Sequence, residues 1–259
     1  MFSQSKIDIV YIANSGVLLS SKETKILIDG IHTTNVQPYF SVAPKTVEKI
    51  VLNKEPYDNI DLIFFTHHHA DHYDPAFTSE FLANNKLVQM VATTSVLSQL
   101  SSAGGAYNDN LINQIRPLSL PRYKSLHMNL RSVPFEVYSI AHDGETYQGV
   151  ENFAYLIELR GKTILHVGDA QPTVFNFQSA GLYGKKVDIL IAPFPFIGLV
   201  AGRKIIKSMN PQLVIVTHLP NKAQDEGNWL YNTYRAFKKY ESQMPQTTFY
   251  TKPGQKVSI

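Results

Sequence analysis

The chain reads as an α/β fold in which two β-sheets pack together and helices cover them on the outside. Three observations predict this. Short β-rich runs separated by turn residues open the sequence and recur through its middle. Strand–helix units follow the strands in each half. Of the 259 residues, 44% are hydrophobic, enough for a substantial core. The two halves share this plan, and no low-complexity tract or Pro/Gly linker separates them, so one domain is expected over 1–259.

The opening meander is placed at strands 7–12, 17–20 and 25–29, with Asn14-Ser15-Gly16 and Ser21-Lys22-Glu23 as the turns. Residues 44–52 follow as a helix with Val47, Ile50 and Val51 on its apolar side. The continuous apolar run 61–66 predicts a strand buried on both faces. Asp74-Pro75 then starts a helix over 75–84, with Asp74 as its cap and proline in its first turn. A strand at 87–92, a helix at 94–101 and a Gly-rich polar loop at 102–110 come next. Strands dominate 114–167 and include the hairpin 154–159 and 162–167 around Arg160-Gly161. The last third alternates: strand 187–192, helix 199–209, strand 213–217, helix 228–240 and strand 247–251.

Composition excludes several classes of chemistry. With no cysteine there is no disulfide, thiolate metal site or thiol nucleophile. A net charge of +3 spread along the chain is no nucleic-acid footprint. The first residues lack the pattern of a secretory signal, and no apolar stretch approaches the roughly 20 residues of a membrane span. A cytoplasmic protein acting on a small molecule, with neither nucleic acid nor membrane as partner, is expected; assembly with further copies of itself stays open.

The chemistry concentrates in Phe65-Thr66-His67-His68-His69-Ala70-Asp71-His72, directly after an apolar strand. Imidazole nitrogens and carboxylate oxygens suit zinc, manganese or iron. In an extended segment His67 and His69 point the same way, so both can meet one metal. If the chain then turns, Asp71 and His72 can face a second. Three more candidates stand singly at strand ends: His142, Asp169 and His218. His68 alternates away from its neighbours and reads as packed or as a support behind the ligands; His166 reads as structural and His127 as exposed. Tyr39-Phe40, Tyr73 and Phe194-Pro195-Phe196 lie beside the ligand-bearing ends and read equally as an apolar mouth or as core. Arg203 and Lys204 read as a solvated helix face.

The order His-x-His-x-Asp-His, isolated His, Asp after Gly, and late His resembles the metallo-β-lactamase superfamily, from Leu27-Ile28-Asp29-Gly30 to His218. The resemblance implies a four-layer αββα sandwich with two mixed sheets and a two-metal site. It implies that His67, His69 and His142 bind one cation, that Asp71, His72 and His218 bind the other, and that Asp169 bridges them. Asp29 would orient a ligand histidine. Asp143-Gly144-Glu145 replaces the Thr-Pro-Gly of glyoxalase II-like members. The stretch 135–169, with Glu151-Asn152-Phe153, looks more like the ascorbate-6-phosphate lactonase-like branch.

The function implied is hydrolysis of an ester-like bond, in a lactone, ester or phosphoester, by a hydroxide held between two divalent cations. Zinc is the expected metal, with manganese or iron as alternatives, and Asp71 is the expected catalytic proton acceptor. His32, Tyr73 and Phe194 are the candidate substrate contacts. The competing readings are an iron-dependent redox or sensing protein on the same fold and a binding module that has lost catalysis.

Overall fold

The structure is a computed structural model and describes residues 6–103, 111 and 113–259. In chain order the first half comprises β1 (Asp8–Ala13), β2 (Gly16–Ser20), β3 (Lys25–Ile28), α1 (Pro44–Val51), β4 (Leu62–Phe64), α2 (Pro75–Asn84), β5 (Gln89–Thr93), α3 (Thr94–Ser102) and β6 (Ile115–Leu118). The second half comprises β7 (Ser125–Leu130), β8 (Val133–Ala141), β9 (Glu151–Leu159), β10 (Lys162–His166), α4 (Val174–Ser179), β11 (Ile189–Pro193), α5 (Pro195–Gly198), α6 (Val200–Met209), β12 (Leu213–Thr217), α7 (Trp229–Tyr240), β13 (Gln246–Phe249) and β14 (Lys256–Ser258). Among these residues no helix is long and apolar enough to cross a membrane. The loop expected at 102–110 lies outside the described residues from 104 onward, and Ser102 ends α3.

Two seven-stranded sheets form, in the orders β14-β1-β2-β3-β4-β5-β6 and β13-β12-β11-β10-β9-β8-β7. Both are mixed. β1, β2 and β3 pair antiparallel, while β3 to β6 run parallel. β7 to β10 pair antiparallel, while β10 to β13 run parallel.

Period-two alternation decides which side chains face where. Ile26 and Ile28 of β3 enter the core between the sheets, and Leu27 enters the core beneath the helices. Leu213 and Ile215 of β12 face inward, whereas Val214 and Val216 face their own helices. The inter-sheet core joins Phe64 to Phe135 and Tyr155, with ring centroids 4.9 and 4.7 Å apart. α1, α2 and α3 cover the first sheet with Val47, Ile50, Phe81, Leu82, Val96 and Leu100. α4, α5 and α6 cover the second with Phe177, Phe196, Ile205, Ile206 and Met209. The result is the four-layer αββα sandwich.

Several elements differ from the sequence reading. The run 61–66 holds only three ladder residues, because the backbone of Thr66 is used elsewhere. Phe65 N still donates to Val91 O, whereas Thr66 O accepts from Phe153 N of the other sheet at 2.8 Å. The short helices α4 and α5 and the edge strand β14 are additions, each too brief to show a period. Asp74 caps α2 as expected, accepting from Ala76 N and Phe77 N, with Pro75 in the first turn.

Candidate metal centre

The parallel strands of both sheets end along one edge of the sandwich, and the ligand-type residues follow those ends. β3 leads to Asp29, β4 to the histidine-rich segment, β10 to Asp169 and β12 to His218, while antiparallel β8 delivers His142. After His69 the chain turns, since its carbonyl accepts from both His72 N and Tyr73 N at 3.0 Å. That turn swings Asp71 and His72 back toward His67. His142 and Asp169 are tied through their backbones: Asp143 N donates to Asp169 O at 2.8 Å, and Gln171 N to Ala141 O at 2.8 Å.

Seven side chains from positions 67 to 218 meet here. Their donor atoms fall into three overlapping groups, each within 4.8 Å: His67 with His69 and His142; His67 with His72 and Asp169; Asp71 with His72 and His218. Asp169 Oδ2 sits centrally, 3.1 Å from His218 Nε2, 3.2 Å from His72 Nε2, 3.8 Å from His142 Nε2 and 3.9 Å from His67 Nε2. Asp71 Oδ2 lies 3.4 Å from His218 Nε2.

The rings are fixed from behind. His72 Nδ1 donates to Asp29 Oδ2 at 2.9 Å, leaving Nε2 aimed at the centre. Thr66 Oγ1 donates to the same oxygen at 2.6 Å and accepts from His67 Nδ1 at 2.9 Å, so one carboxylate sets two tautomers. His142 Nδ1 donates to Asp143 O at 2.5 Å. Asp29 itself has φ +46°, and its carbonyl approaches Gly16 so closely that a Cβ there would come within 2.6 Å of the oxygen.

Electrostatics divide the centre. Burial, with His72 nearby, holds His67 well below the ordinary histidine range. His69 is pushed down to about 4 by burial and by His142, and His142 is lowered by burial. Burial also works against the cationic form of His72 and His218. The Asp169 and Asp71 carboxylates outweigh it, raising His72 well above its ordinary value and His218 to about 9. Burial pushes the Asp71 and Asp169 carboxyls up, but His72 and His218 hold both below the usual carboxylate range.

The residues fit a divalent cation. Asp169 Oδ1 and His218 Nε2 are buried without a properly angled hydrogen bond. The ring nitrogens His67 Nε2 and His69 Nδ1 face each other at 3.1 Å, and His142 Nε2 lies 3.4 Å from His67 Nε2. Neutral imidazoles converging nitrogen to nitrogen, beside two ionised carboxylates, present lone pairs to a common point.

Other expected roles meet different outcomes. His32 is wholly buried and lines no part of the cavity above the centre, so it is no substrate contact. It sits beneath the site, and burial lowers it to about 4. Tyr73 is likewise buried, its ring against Phe65 at 4.8 Å, because its bridge to Ile31 turns it into the helix-side core. Phe194 does line the cavity, as do Tyr39 and Pro195, whereas Phe196 is core beneath the helices of the second sheet and Phe40 packs, partly buried, against the helix-side core of the first. His166 is structural: Nδ1 accepts from Gly168 N and Nε2 donates to Ser15 O at 2.9 Å, across the sheets. Arg203 donates to Ile197 O and Gly198 O instead of facing solvent freely.

Two residues escaped the sequence reading. Asn14, in the β1–β2 turn, donates through Nδ2 to both Asp71 O and Asp71 Oδ2 at 3.0 Å, and its carbonyl accepts from His218 N at 2.9 Å. Asn152 accepts from Asp169 N at 3.1 Å and donates to Val167 O. Both are asparagines far in sequence from what they hold, so no local signal marked either of them.

A cavity of about 820 Å³ opens above the centre, floored by His69, Asp71, His142, Asp169 and His218 and walled by aromatic and apolar side chains. Tyr147 stands edge-on to His69 and His142, and Tyr39 to His218 at 3.9 Å.

Comparison with known proteins places this arrangement. A UPF0173 metal-dependent hydrolase of Pyrococcus abyssi is 22% identical over 198 residues, covering 74% of this chain and 79% of the relative. Among solved structures, Igni18, a metallo hydrolase from Ignicoccus hospitalis, superposes with a TM-score of 0.63 at 16% identity, covering 98% of this chain and 99% of its own. An isothiocyanate hydrolase from Delia radicum gut bacteria gives 0.60 at 13%, covering 96% and 98%. The family model described as the beta-lactamase superfamily domain matches residues 8–218, from the first strand to the last of the seven converging residues. The chain therefore belongs to the metallo-β-lactamase superfamily.

Proposed function

We propose that this protein is a metal-dependent hydrolase that cleaves an ester-like bond of a small molecule. The observation that carries this reading is the convergence of seven nitrogen and oxygen donors at the floor of one cavity. The relatives' shared name, metal-dependent hydrolase, supports it.

His67, His69 and His142 would hold one cation, Asp71, His72 and His218 the other, and Asp169 lies between the two groups. Zinc suits this nitrogen-rich set, with manganese or iron as alternatives. Two such cations supply Lewis acidity, lowering the pKa of water at the site and drawing charge from the substrate's oxygen. The chain's own residues do the rest. Asp71, kept ionised, is the proton acceptor, and Asn14 donates to its Oδ2, the oxygen that faces His218. Asp29 and Thr66 hold the two central imidazoles in the tautomer that exposes Nε2. In balance, water's oxygen bonds to the acyl carbon or phosphorus, the ester bond breaks, and the leaving oxygen takes a proton.

Within the superfamily we place the chain nearest the ascorbate-6-phosphate lactonase-like branch. The stretch 135–169 supports that placement, and in it Asn152 positions Asp169. The test is metal analysis of the purified protein followed by a panel of p-nitrophenyl esters, lactones and phosphodiesters. Turnover that requires metal is expected. Full metal loading with no turnover of any of these would overturn the reading.

A further inference from the structure

The cavity has two ends of different chemistry. Its floor is the cluster of imidazoles and carboxylates. Its far wall is built from the loop after β3, from α5 and from the start of α7, through Val36, Pro38, Phe194, Leu199 and Trp229. Phe194 and Trp229 lie nearly parallel, 21° between planes and 5.9 Å between centroids. Leu199 and Trp229 remain 52% and 44% exposed, so apolar surface faces water inside the site's own cavity. A ligand group that covers it gains by displacing that water.

The wall offers no positive charge. Asp71 and Asp169 belong to the cation-holding floor, Asp143 adds a further carboxylate, and among the described residues no lysine or arginine lines the cavity. Arg203, close to α5 in sequence, is engaged by Ile197 O and Gly198 O and lies over the Tyr240 ring, behind the wall. An anionic group remote from the reacting bond would therefore lose its hydration and meet no counter-charge. Polar contact on the far side comes from the uncharged side chains Gln37 and Asn232.

We infer that the site selects an uncharged ester or lactone whose remote portion is an aromatic or branched apolar group seated on Phe194 and Trp229. This rests on the hydrolase reading above and narrows it: a substrate phosphorylated away from the scissile bond is excluded, so the likeness of 135–169 to the lactonase-like branch is one of chain arrangement and does not extend to that branch's phosphorylated substrate. The subsite is a property of the wall, independent of which cation occupies the floor.

Trp229 is the single tryptophan of the chain, so its fluorescence reports on the wall directly. Zinc-loaded protein is titrated with N-benzylacetamide and with its para-sulfonate, a permanent anion and a poor metal ligand. The neutral amide is expected to change the emission saturably and to bind about tenfold more tightly than the sulfonate, as an anion set against an apolar wall without a counter-charge requires. Phe194→Ala should weaken the neutral amide by about tenfold. Leu199→Arg, a change at an exposed position, should reverse the order and favour the sulfonate. Equal binding of the two amides to the unaltered protein, or no reversal in Leu199→Arg, overturns the inference.

Hydrolysis separates this from the broader reading. Of the p-nitrophenyl esters, phenylacetate should exceed both acetate and para-sulfophenylacetate in kcat/KM by about tenfold. Turnover of all three without preference overturns the subsite and leaves the hydrolase intact. Selective binding with no ester turned over overturns the hydrolase and leaves the subsite.

Discussion

Asp29 Oδ2 accepts a hydrogen bond from His72 Nδ1 at 2.9 Å, and both side chains are fully buried. The same oxygen accepts from Thr66, whose hydroxyl in turn holds His67. One carboxylate thus orients an imidazole in each of two overlapping donor groups. Asp29→Asn keeps the shape but replaces an acceptor oxygen with a donor. It should lower zinc affinity about 10- to 100-fold, measured by competition with a chromophoric chelator. Unchanged affinity would remove Asp29 from the site.

Replacing His67 and His69 together with alanine should at least halve stoichiometric metal binding, because one of the two donor sets is lost while Asp71, His72 and His218 remain. Replacing His32 with asparagine should leave it intact, since His32 is buried below the centre and belongs to none of the three donor groups. Metal content of the purified variants distinguishes the two cases. Full loading of the double variant would refute the assignment of these histidines.

Asn14→Gly tests the amide alone. Residue 14 has φ +51°, which glycine adopts without strain, and the substitution deletes the donor to Asp71 while keeping the carbonyl that holds His218. Turnover should fall about tenfold or more with little change in melting temperature. A loss of stability without loss of rate would make Asn14 a turn residue only.

The metal-free protein should be most stable near pH 6.5. His69 titrates at about 4 when folded and 6.5 when unfolded, so below 6.5 the unfolded chain binds more protons and stability falls with falling pH. His67 acts in the same direction. His218 is the opposite case. Its folded value of about 9 exceeds 6.5, so its contribution is complete below 6.5 and is lost as the pH rises through 9. Zinc replaces the protons of His72 and His218, so loading should move the optimum upward and strengthen with rising pH. Melting curves across pH, with and without zinc, check both signs; coincident profiles would contradict them.

Gly168 precedes Asp169 at φ +56°, and a Cβ there would come within 2.6 Å of Asn152 Oδ1 and 2.8 Å of Thr66 Cβ. Gly168→Ala should cost about 1–3 kcal/mol of stability through strain and overpacking. It should also displace Asp169, so denaturant melts and metal affinity are expected to fall together.

The histidine-rich turn was legible in the sequence because its ligands are contiguous and follow an apolar run. His142, Asp169 and His218 were legible only as strand ends. The apolar runs of β3 and β12 announced strands but not which sheet each joins, because pairing across the chain leaves no local mark. Asn14 acts on a residue 57 positions away, and turn asparagines are common for backbone reasons, so nothing local separated it from them. Tyr73 misled because nearness to a ligand in sequence says nothing about the direction its ring takes once Ile31 pairs with it.

His67, His69, Asp71 and His72 hang from the first sheet, and His142, Asp169 and His218 from the second, so each donor group that contains His142, Asp169 or His218 straddles the interface between the layers. Sliding one layer against the other would spoil all three groups at once. The Phe64–Phe135–Tyr155 stack, though it never meets a substrate, therefore sets the alignment on which reactivity depends. Resizing those rings should show itself first as a mistuned centre and only later as an unfolded protein.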